Sequence, residues 1–155
     1  MPFFRRHKRV LWVIAGLLLL AGGFCFSAPW TDAPSPFTGP PMAGVSARTE
    51  QSRYSPAARE ISLTVSSSSA EFYADCHAVL ERQQGGVWYT LRRNPFCRIV
   101  PPAMEIGILP GEEERCRLLA EEYGFRLRPG VYRAVVKGCD SMRRETFAAA
   151  EFEIG

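Results

Sequence analysis

The sequence predicts an all-β antiparallel sandwich behind a single amino-terminal membrane-spanning helix. Three observations predict it. Residues 10–26, VLWVIAGLLLLAGGFCF, form seventeen residues without a charge, directly after the basic cluster RRHKR. From residue 54 onward, short runs of alternating apolar and polar residues are separated by turn residues, as in strands with one buried and one wet face. The whole chain has 155 residues, 46% hydrophobic and 23% charged, which suits one ordinary domain with an appendage and excludes wholesale disorder.

Residues 1–9 read as a basic cytoplasmic flank and residues 10–30 as a signal anchor. At about 1.5 Å per residue, the stretch ending at Trp30 covers about 30 Å of helix, enough to cross a bilayer. Trp12 and Trp30 then lie at the two interfaces, where an indole is favoured. The membrane is thus the first expected partner, with the carboxy-terminal domain outside the cytoplasm. The best small-residue cleavage site follows Ala28, but Phe26 and Pro29 on either side of it oppose processing, so retention is expected. Cleavage would make the protein secreted. Cys25 stands where a lipoprotein cysteine would, but Phe24 occupies a position that needs a small residue, so lipidation is not favoured.

Residues 31–54 contain four prolines and little apolar periodicity, and read as a Pro-rich linker, with an irregular strip packed on the domain as the other reading. In the domain, residues 55–155, Ile61, Leu63 and Val65 alternate with Ser62, Thr64 and Ser66. Cys76, Ala78 and Leu80 continue the alternation, and Gln83-Gln84-Gly85-Gly86 turns the chain into a second strand at 87–91. Residues 92–111 hold four prolines and read as a long loop with a short strand near 106–109. Segment 112–123 has a helix former's composition, yet Cys116, Leu118 and Ala120 also alternate. A strand ending in a turn at Tyr123-Gly124 is favoured over a helix, because a sandwich lacks a strand without it. After the Pro129-Gly130 turn, Tyr132, Ala134 and Val136 share a face, as do Ala148, Ala150, Phe152 and Ile154 in the last strand.

These motifs resemble the bacterial immunoglobulin-like (Ig-like) domains of exported and membrane-anchored envelope proteins. The resemblance rests on Leu80-Glu81, Gly86 and Trp88 in the hairpin, on the run Tyr123-Gly124, Leu127, Pro129-Gly130 and Tyr132-Arg133, and on a final phenylalanine strand. It covers about residues 55–155 and implies an Ig-like antiparallel β-sandwich. Such motifs describe turns and core, so they imply a fold more than an activity.

Leaving out Cys25, the exported part holds Cys76, Cys97, Cys116 and Cys139, an even number that suggests two disulfides in an oxidising space. Four cysteines allow three connectivities. The Ig-like layout implies Cys76–Cys139, with Cys97–Cys116 tying the long loop to its neighbouring strand. A zinc site using Cys76 and His77 is disfavoured, since neighbours in a strand point to opposite faces.

No nucleophile elbow, phosphate loop or C-x-x-C pair is present, and His77 is the only histidine outside the basic flank. No catalytic residue and no cofactor is therefore expected. Nineteen Lys and Arg against sixteen Asp and Glu give a net charge of +3. Four of those bases are Arg5, Arg6, Lys8 and Arg9, so the rest carries fifteen bases against sixteen acids. A nucleic-acid partner is excluded on that balance. The candidate binding surface is a cationic-aromatic patch of Tyr89, Arg92 and Arg93, with one of Trp88 and Tyr89 in the core and the other exposed. The expected function is non-catalytic binding, adhesion or scaffolding at the bacterial envelope, toward an envelope protein or cell-surface polymer. The alternatives are a small secreted inhibitor or regulator of an envelope enzyme and, more remotely, an exported zinc or thiol enzyme.

Overall fold

Ten strands pack as two sheets in a computed structural model that describes residues 32–94, 105–124 and 126–155. The expected signal anchor at 10–30 and Cys25 lie outside the described residues. Among those described, no helix is long and apolar enough to cross a membrane.

The small sheet has the order β2 (Val45–Thr49), β4 (Glu60–Ser67), β8 (Glu113–Leu119), all antiparallel. The large sheet runs β1 (Ala33–Pro34), β6 (Val87–Thr90), β5 (Phe72–Gln84), β9 (Gly130–Cys139), β10 (Glu145–Ile154), β3 (Arg53–Tyr54). A further strand, β7 (Glu105–Ile108), pairs with the start of β5. Among the described strands, only β3 against β10 is parallel.

Periodicity explains most of these elements. Ile61, Leu63 and Val65 of β4 and Leu118 of β8 face Phe72, Leu80, Tyr132, Ala134, Val136 and Phe152 across the sandwich, and all are buried. Gly85 and Gly86 both take positive φ in the two-residue turn between β5 and β6, as the twist of a tight hairpin requires. Segment 112–123 is a strand followed by a single 3-10 turn, Ala120–Tyr123, so pairing with β4 overrides its helical composition. The short strand within the long loop is β7. Strand β5 is longer than expected and carries a bulge between Ala74 and Ala78.

One expectation is corrected. Residues 31–54 are not a free linker but supply three strands, the packed-strip reading extended to sheet pairing. Ala33 and Pro34 pair with Thr90 and Tyr89, β2 completes the small sheet, and Arg53 and Tyr54 pair with the end of β10. Between β1 and β2 the chain crosses the outer face of the large sheet as a strap, residues 33–42. The amide of Ser35 donates to the Trp88 carbonyl at 2.9 Å, and that of Met42 to the Phe147 carbonyl at 2.9 Å. Strand β9 buries five consecutive residues, Tyr132 to Val136, where alternation predicts three. Arg133 points outward from the sandwich but lies beneath the strap, bonded to Ser35 and Phe37.

Candidate functional site

Under the strap lies a buried ion pair. Glu81 in β5 and Arg133 in β9 are register partners on the outer face of the large sheet. Arg133 Nε donates to Glu81 Oε2 at 2.7 Å, with side-chain exposures of 10% and 0%. The remaining polar capacity is used locally. Thr90 Oγ1 donates to Glu81 Oε1 at 2.8 Å, and Arg133 Nη2 donates to the Phe37 carbonyl at 3.0 Å and to Ser35 Oγ at 3.3 Å. The guanidinium lies 4.6 Å from the Trp88 ring centroid. Phe37 packs against Phe147 with ring centroids 5.2 Å apart, and Lys137 Nζ sits 5.6 Å from the Phe37 centroid. A buried carboxylate is tolerable only when paired and hydrogen-bonded, and here it is both.

The candidate patch of Tyr89, Arg92 and Arg93 is divided. Arg92 is exposed. Arg93 is drawn inward: its Nε lies 3.2 Å from Glu122 Oε2, a carboxylate 8% exposed, and its Nη2 donates to the Ala78 carbonyl at 3.4 Å. Tyr89 and Trp88 are both half-buried, which corrects the expected division into one core and one exposed ring. Trp88 stacks under Arg133, while Tyr89 pairs across the ladder with Arg82. Arg82 donates to the Pro129 carbonyl at 3.2 Å and lies 5.9 Å from the Tyr132 centroid. Asp32 sits in the same region, its carboxyl raised above the usual range by burial, against the opposing field of Arg82. Arg82 is thus the cation beside Tyr89, a neighbour set by register and invisible to sequence proximity.

The cysteines fall in three different settings. Cys139 ends β9 opposite Tyr73, and its thiol donates to Glu105 Oε1 at 3.3 Å. The expected Cys76–Cys139 bond is therefore not formed in this structure. The physical reason is register: Cys76 lies in the bulge that separates the Ala74–Gly138 pair from the Ala78–Val136 pair, away from the position opposite Cys139. Cys116 is buried in the core of the small sheet, and Cys97 lies outside the described residues.

Around Cys139, Arg143 Nη1 reaches both Glu105 oxygens at 2.6 and 2.8 Å, and its guanidinium lies 5.0 Å from the Tyr73 centroid. These bonds hold the Glu105 carboxyl below its usual range, Arg143 contributing most and the Cys139 thiol next. Asp140 is likewise lowered, chiefly by the Arg144 backbone amide and then by the Arg144 side chain. His77 lies 3.4 Å from Asp75. Among the described residues, no group of three or more His, Cys, Asp or Glu is placed to hold a metal ion.

Two facing sheets, a hairpin on paired glycines and a tyrosine corner, in which Tyr132 Oη donates to the Arg128 carbonyl at 2.6 Å, define an immunoglobulin-like module. The chain belongs to the bacterial Ig-like domain family, whose model matches residues 41–153. The match takes in β2 and β3 and leaves the strap residues 33–40 ahead of it.

Among solved structures, the chain is similar to the periplasmic chaperone SfaE, with a TM-score of 0.44 and 14% identity over 72% of this chain; it spans 56% of the chaperone's length. It is also similar to the soluble domain of PmoD from Methylocystis sp., with a TM-score of 0.32 and 14% identity over 79% of this chain and 98% of that one. Both similarities are distant, and nothing about partners follows from them. Among curated proteins, none matches this sequence.

Sequence reasoning missed the Glu81–Arg133 centre. Both residues stand inside the motifs that carried the family resemblance, and each occupies the outward parity of its strand. A carboxylate and a guanidinium at outward positions read as solvated until the strap is seen to cover them.

Proposed function

We propose that this chain is a membrane-anchored, extracytoplasmic Ig-like module that works by contact rather than catalysis, in binding, adhesion or scaffolding at the bacterial envelope. The observation that carries this reading is membership of the bacterial Ig-like family in a chain whose residues 10–26 are free of charge behind a basic cluster. The contact surface is assigned to the β6 side of the large sheet, with Tyr89, its register partner Arg82 and the exposed Arg92 that follows the strand. Its partner is an envelope protein or a cell-surface polymer. In the oxidising compartment, Cys97 pairs with Cys116.

Fractionation tests the placement. The full chain should stay with membranes after alkaline carbonate extraction, and protease should reach the domain in spheroplasts but not in intact inverted vesicles. A soluble chain beginning after Ala28 would favour the secreted inhibitor or regulator, and a domain protected in spheroplasts would sink both readings. Intact mass with alkylation before and after reduction reports lipid at Cys25 and the Cys97–Cys116 bond in one experiment.

A further inference from the structure

On the outer face of the large sheet the strap lies in a groove. The groove is built by the edge of β6 that β1 covers, the Trp88 and Phe147 rings and the buried Arg133. Recognition combines three elements: main-chain pairing to β6, a serine hydroxyl and a carbonyl on the Arg133 guanidinium, and a phenylalanine on Phe147. The same three elements describe how an extended peptide is taken up in trans.

The strap is constructed so that it can leave as a unit. It pairs with β6 through a two-residue strand, and Ala33, Pro34 and Pro36 are exposed. The Ser35 amide makes a ladder bond, so its neighbour Pro34 occupies the alternate position, where no donor is needed. Between the anchored Phe37 and the anchored Met42 runs Thr38-Gly39-Pro40-Pro41, all exposed, and no atom lies close to the position a side chain would take at Gly39. A Gly-Pro-Pro connection stiff enough to favour an extended path, joining a docked arm to the domain it covers, is the form of a domain-swapping hinge. Strap residues 33–40 lie ahead of the family-matched residues, which take in Trp88, Arg133 and Phe147 of the groove.

From this arrangement we propose that residues 33–37 exchange between two copies of this chain, each arm docking in the other's groove. The second copy is the occupant because its arm fits the groove by construction, with every contact of the closed form reproduced. Tethering both copies in one membrane would raise their effective concentration. Exchange itself requires no anchor, so this inference stands apart from the envelope reading.

The test uses the full chain in detergent, in two differently tagged versions. One carries Pro34→Cys and the other Tyr89→Cys, cross-strand partners at a position where side chains approach closely. Mixed and oxidised, they should give an interchain heterodimer several-fold above mixtures of either variant with the unmodified chain, which control for the native cysteines. The yield should rise with protein concentration, and peptide mass should place the bond between positions 34 and 89.

A chain carrying both substitutions reports whether the arm docks at all. If it closes an intrachain bond while the mixture yields no heterodimer at any concentration, exchange is overturned. If the two variants are co-expressed in cells and position 89 links to a different protein and not to position 34 of a second copy, the choice of occupant is overturned. Thermal melting of each variant alone separates either result from misfolding.

Discussion

Arg133 holds five neighbours at once: Glu81, Ser35, the Phe37 carbonyl and the Trp88 and Phe147 rings. Removing one member of such a pair leaves the other charge buried and uncompensated. Arg133→Ala or Glu81→Ala is therefore expected to cost about 3–5 kcal/mol in urea unfolding. The double replacement Glu81→Leu/Arg133→Met should recover most of that loss, which a cycle with the single Glu81→Leu and Arg133→Met variants reads directly. Tyr132→Phe keeps the ring packed on Phe152 but removes the bond to the Arg128 carbonyl, for an expected loss of about 1 kcal/mol by the same measurement. Both tyrosine and arginine were visible in the sequence as parts of one motif. What each contacts was not, because a strand's period says which face a side chain takes and nothing about what covers that face.

At the scale of elements, the β9–β10 hairpin joins the core to the Cys139 cluster. Gly138 is the close point: a side chain there would run into the Tyr73 carbonyl and the Phe72 ring, one of them backbone that cannot yield. Gly138→Ala should destabilise the domain by about 1–3 kcal/mol in thermal or urea unfolding. The hairpin tip is also expected to respond to acid. Glu105 and Asp140 both have carboxyls lowered in the folded state. The stability they contribute is present above their unfolded values near pH 4 and is lost as pH falls through the lower folded values. Amide protection at residues 139–145, taken relative to the intrinsic exchange rate at each pH, should therefore fall on acidification through that window, and Arg143→Gln should remove the Glu105 part of the response. Asp32 has the opposite sign: its raised carboxyl favours the protonated form, so Asp32→Asn should not weaken the domain at neutral pH.

Element types were largely legible from the sequence. Paired glycines set the β5–β6 hairpin, and alternation located β4, β9 and β10. The stretch 112–123 shows the limit, since its composition favours helix while its ladder with β4 makes it a strand.

Across the whole molecule, the largest difference concerns residues 31–54. If they were a tether, Phe37→Ala would leave stability unchanged. With the ring packed on Phe147 and beneath Lys137, the substitution should cost about 1–2 kcal/mol and increase binding of a hydrophobic dye as Phe147 is uncovered. The thiol at Cys139 provides a second global test, because alkylation of the folded, unreduced protein should modify it.

By itself, the sequence determined the two-faced strands, their turns, the Ig-like family and the apolar amino-terminal segment, since each is written in local composition or in a period of two. Only the tertiary structure decided that a proline-rich stretch packs as a strap, that Glu81 and Arg133 are buried, that Arg82 rather than Arg93 stands beside Tyr89, and that Cys139 faces Tyr73 rather than Cys76. Each of these depends on register or on coverage by a segment distant in the chain. The free energy of such contacts comes from burial and desolvation among residues that no local pattern brings together.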